Sequence, residues 1–72
     1  MEMYRRELEW AGELRRKEAD WAYIESRPEP LRTALGILVE TGDLWYAAAL
    51  TGVDLEGLNE ERIRARIPIV VV

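Results

Sequence analysis

Seventy-two residues, a net charge of −4, and no Cys or His allow one small domain spanning 1–72. They exclude disulfides, thiolate or imidazole metal sites, and Cys/His or Ser/His catalysis. A chain this short buries only about 60% of its unfolded surface, so further burial is expected against another chain, with a homo-oligomer the first candidate.

The acidic balance also bears on partners. Phosphate neutralisation by Lys and Arg supplies most non-specific nucleic-acid affinity, and this chain has 10 cations against 14 carboxylates. Arg provides every cation except Lys17, and this composition, rich in Glu and free of Cys and Phe, points towards a thermophile. No apolar run approaches the ~18 residues of a membrane span. The opening MEMYRRELE is charged where a signal peptide is apolar, so the expected location is cytoplasmic, away from membranes.

The first predicted element is a long amphipathic helix over 2–25. Met3, Tyr4, Trp10, Ala11, Leu14, Trp21 and Ala22 fall on one stripe at 100° per residue. Trp10, Leu14 and Trp21 are therefore candidate anchors of a core, a dimer or a partner interface. Glu7, Glu18 and Glu25 project into the same sector, at its solvent edge or towards a partner's arginines.

ESRPEP ends this helix, and Pro30 opens a second over 30–40 with Leu31, Ala34, Leu35, Ile37 and Leu38 as its apolar face. TGD closes it, with Gly42 left-handed and Asp43 capping a third helix over 44–50. That third helix, LWYAAAL, is almost wholly apolar, so Trp45 and Tyr46 are expected in the core beneath the second. Gly52 makes the next turn, and Asp54 caps a fourth helix over 55–64 anchored by Leu58 and Ile63. The tail over 67–72, IPIVVV, is β-branched around Pro68 and is expected to be extended. The expected fold is thus mainly α, with about four helices and a short C-terminal strand.

Two helices joined by a short Gly turn form a helix-turn-helix-like unit, with Ala48, Gly52, Val53 and Leu58 as its small, turn, anchor and packing positions. The stretch AAALTGVDLEGLNEERIRARIPIV, 47–70, resembles the C-terminal part of a family of small prokaryotic VapB-type antitoxins. These carry A-A-x-L-A-G-(I/V)-S-x-x-x-F-x-E, then a helix, then I-P-V. The resemblance runs without a gap through Ala47, Ala48, Leu50, Gly52, Val53, Leu58 at the family's Phe position, Glu60, Ile67 and Pro68, and covers about a third of the chain. It implies a protein that binds and silences a toxin, typically a PIN-type ribonuclease, and whose helix-turn-helix binds operator DNA.

The chain departs from that pattern where DNA would be read. The recognition-helix positions hold Asp54, Leu55, Glu56 and Gly57, then Asn59, Glu60 and Glu61. Asn59 alone is a natural base reader, and four carboxylates would face phosphate, so DNA binding is disfavoured. The tail suits a protein better. Arg62, Arg64 and Arg66 alternate with apolar residues, either as a strand or, in the favoured reading, in a helix that ends near Arg64. Cations at a helix C-terminus are favourable by themselves. Guanidiniums inserted among a nuclease's metal-holding carboxylates would also compete with its metal. A lone strand cannot satisfy its backbone if buried, so Ile67, Pro68, Ile69, Val70, Val71 and Val72 are expected to pair with a copy or a partner. Burying the five aliphatics is worth about 1.5–3 kcal/mol each.

No Gly-rich phosphate loop, ligand spacing or cofactor motif is present, which weighs against an enzyme. The expected function is a non-enzymatic, antitoxin-like binding module. A self-assembling scaffold and a DNA-binding regulator are the alternatives.

Overall fold

The computed structural model describes residues 2–68, of which 2–9 are described as backbone only. Among the described residues there are five helices and no strand: α1 (Glu2–Glu18), α2 (Trp21–Ser26), α3 (Leu31–Thr41), α4 (Leu44–Thr51) and α5 (Leu55–Arg64). Ile69, Val70, Val71 and Val72, and with them most of the expected strand, lie outside the described residues.

The helix expected over 2–25 is two helices. The backbone N–H of Ala19 still donates to the Arg15 carbonyl at 3.0 Å, but that of Asp20 turns away to the Ala65 carbonyl at 2.7 Å. Asp20 is extended, and its carboxylate accepts from Tyr23 N, which starts α2. The Arg16 carbonyl, left without its helical donor, accepts from Trp21 Nε1 at 2.9 Å. One acidic cap and one long-range bond thus outweigh continuous helical periodicity.

The break rotates the apolar stripe. Ala11 and Arg15 form the buried row of α1, continued by Ala19 just beyond its end, and Ile24 is the buried residue of α2. Trp10, Trp21 and Ala22, expected on the inward face, are exposed.

α3 is the centre of the molecule and contacts each of the other four helices. It buries Ala34, Leu35, Leu38 and Val39. Around them lie Ala47 and Ala48 of α4, Leu58 of α5, and Ala65 and Ile67 just beyond it. Alanine is frequent at these contacts, which lets short helices approach closely.

The turns follow the expected chemistry. Gly42 and Gly52 are left-handed, with φ of 71° and 77°, and their N–H groups donate to the Leu38 and Ala48 carbonyls. Asp43 accepts from Tyr46 N at 2.9 Å and Asp54 from Gly57 N at 3.0 Å. Val53 packs against the core beside the buried Leu58.

α4 corrects a second expectation. Packed from one side, an eight-residue helix buries one row at i, i+3, i+4, i+7. Leu44, Ala47, Ala48 and Thr51 occupy that row. Trp45 and Tyr46 stand on the other side, 73% and 49% exposed, instead of in the core. With no polar residue to mark its outer face, the sequence of α4 carries no sign of which row turns inward.

Candidate protein-binding surfaces

The C-terminal end of α5 closes as a Schellman motif. Ile67 N donates to the Arg62 carbonyl and Arg66 N to that of Ile63, both at 3.1 Å. This needs a left-handed residue after the C-cap, and Arg66 takes it with φ of 56°. Ile67, next in line, is fully buried in the core.

The three arginines therefore stand differently. Arg62 turns back on its own chain, donating from Nε to Asn59 Oδ1 at 2.9 Å and from a terminal nitrogen to the Ile67 carbonyl at 3.0 Å. It holds the residue that leaves α5 against the body of the protein. Arg64 is exposed and sits 3.6 Å from Glu61, whose other oxygen accepts from the Tyr23 hydroxyl. Arg66 is exposed. Of the residues expected to meet a partner, Arg64 and Arg66 are presented to solvent and Pro68 is half-buried. Arg62 and Ile67 serve the fold.

Asn59 is half-buried, and its carbonyl oxygen is engaged by Arg62. Reading adenine uses both the oxygen and the nitrogen of an Asn amide together. Glu56 and Glu60 flank it, exposed.

Trp10, Leu14 and Trp21 do not share a surface. Trp10 and Leu14 line a shallow pocket of about 200 Å³ with Glu13 and Lys17. Trp21, beyond the break, lies at a larger open groove of about 560 Å³ with Gly36, Ile37, Tyr46 and Leu50. This groove was not foreseen, because Ile37 and Tyr46 read as core. An i, i+4 pair of large apolar residues on α4, Tyr46 and Leu50, was its one sequence signal.

A buried cation braces this side of the molecule. Arg15 is 7% exposed and donates from Nε to the Val39 carbonyl at 2.8 Å, capping the C-terminal end of α3. Its guanidinium fills the space beside Gly42, where a Cβ would fall 2.6 Å from a terminal nitrogen. Burial lowers its pKa, Arg16 adds to this, and Glu40 opposes it. At positions 11, 15 and 19 the sequence places Arg15 between two alanines, a pattern that does not itself reveal which carbonyl it meets.

No protein-family model matches the chain, and comparisons with curated proteins and solved structures give no significant match. Among the described residues no three acidic side chains converge as a metal site, and no helix is long and apolar enough to cross a membrane.

Proposed function

We propose that the chain is a non-enzymatic protein-binding module of antitoxin type that silences a PIN-type ribonuclease. Arg64 and Arg66 are the blocking groups. The observation that carries this reading is Arg66 itself: a non-Gly residue held left-handed, with its side chain in solvent. Such a conformation costs about 1–2 kcal/mol relative to an ordinary backbone, and glycine would relieve it. Strain of this kind collects where a side chain has work outside the fold.

The chemistry follows from the guanidinium group. A nuclease of this type holds its divalent metal with carboxylates, and the metal activates water and neutralises phosphate. A planar, permanently charged guanidinium pairs with such carboxylates through two hydrogen bonds and competes with the metal for them. Arg62, by fixing the Ile67 carbonyl, aims the segment rather than blocking. Ile69, Val70, Val71 and Val72 supply the apolar contact that keeps it in place.

The test is an RNA-cleavage assay with a PIN-type ribonuclease that the chain retains in affinity capture, supplied with Mn²⁺ and titrated with the chain. Wild type should stop cleavage near one equivalent. Arg64→Ala/Arg66→Ala, folded by circular dichroism, should need roughly 100-fold more, as expected when two charged contacts are lost. Inhibition by the double variant equal to wild type would sink the proposal. A truncation that removes the tail must retain Ile67, which is core.

A further inference from the structure

The outer side of α3 carries, between opposite charges, a glycine that nothing in the fold of a single chain requires. Arg32, Gly36 and Glu40 are spaced by four and form one row along the helix, with Thr33, Ile37 and Thr41 in the row beside it. Gly36 lies in the helix interior, where glycine is the least favourable residue after proline. Its position does not call for glycine, since a Cβ there would have nothing within 4 Å. Either side of it the row is oppositely charged, with both charged side chains about half-exposed.

We infer that this face is a two-fold interface with a second copy of the chain, in which two α3 helices cross antiparallel at Gly36. In an antiparallel crossing, the residue four before the centre meets the residue four after it. Arg32 of each copy therefore faces Glu40 of the other, at both ends of the contact, and Thr33 lies towards Thr41. A two-fold interface demands this self-complementarity, in which residue i meets j and j meets i. The missing Cβ at Gly36 lets the two backbones approach, and Trp21, Tyr46 and Leu50 flank the crossing with the apolar surface they now expose.

The charged residues are able to serve both sets of contacts. Arg32 binds Glu29 through Nε, which leaves its terminal nitrogens with four N–H donors for a second carboxylate. Glu40 sits 3.5 Å from Arg16 at the surface, a pair loose enough to be shared. The patch is narrow, which puts it among interfaces under about 1,200 Å² in total, the size class of weak and transient association. It lies apart from Arg64 and Arg66 in sequence and does not depend on the nuclease.

Sedimentation equilibrium of the full chain over a wide concentration range tests it. Wild type should move from monomer to dimer. Arg32→Glu and Glu40→Arg each place like charges across both ends, and each should weaken the dimer roughly tenfold. The double swap Arg32→Glu/Glu40→Arg should restore it. Gly36→Ala separates the interface from the fold. At concentrations where the chain is monomeric it should raise the melting temperature by about 5 °C, because alanine is the better helix former. At higher concentration it should still weaken the dimer roughly tenfold or more, as expected of overpacking. Wild type at monomer mass throughout would overturn the inference. A dimer insensitive to the single swaps and to Gly36→Ala would overturn it equally, by placing the interface elsewhere.

Discussion

Among the described residues three helices are closed by a left-handed residue, and these residues differ. α3 and α4 use Gly42 and Gly52, whereas α5 uses Arg66. At Gly42 anything larger must displace the buried Arg15 guanidinium, which occupies the space. At Gly52 the space is open and only backbone conformation argues for glycine. At Arg66 neither consideration has prevailed. A helix end shaped by folding alone carries the relaxed residue, and the proposed function assigns the strained one at Arg66 to its side chain.

Substitutions at these positions grade the comparison. Gly42→Ala should be the most damaging, by about 3 kcal/mol. It combines left-handed strain of about 1–2 kcal/mol with displacement of Arg15 from the Val39 carbonyl, worth about 1 kcal/mol or more. Urea unfolding should show it as a lower midpoint with an unchanged slope. Gly52→Ala carries the strain alone and should destabilise by about 1–2 kcal/mol in the same assay. Equal losses at the two glycines would mean that Arg15 is not the neighbour that decides Gly42.

The same contrast explains what was legible in the sequence. The limits of α3, α4 and α5 fall within one residue of those read from Pro30, Gly42, Asp43, Gly52 and Asp54, because each boundary is written by local backbone chemistry. The break at Asp20 was not legible. Besides the Asp20 cap it rests on a bond to Ala65, 45 residues further on, and neither Gly nor Pro marks it. Trp45 and Tyr46 were misplaced because α4 lacks the alternation that reveals a buried face. The role of Arg15 went unread, because the carbonyl it caps is left free only where α3 ends. At the candidate site, the sequence treats Arg62, Arg64 and Arg66 alike, whereas the structure exposes Arg64 and Arg66. The diversion of Arg62 and Ile67 into the fold was not legible, since both depend on the Schellman closure of α5.

The measurement that bears most directly on the central claim is Arg66→Gly, read for stability and for inhibition in the same preparation. Relief of left-handed strain should raise stability by about 1 kcal/mol in urea unfolding. Loss of the guanidinium should at the same time weaken inhibition of the ribonuclease by roughly tenfold or more. A variant that gains stability and inhibits as well as wild type would contradict the account, because the strain at Arg66 would then serve no partner.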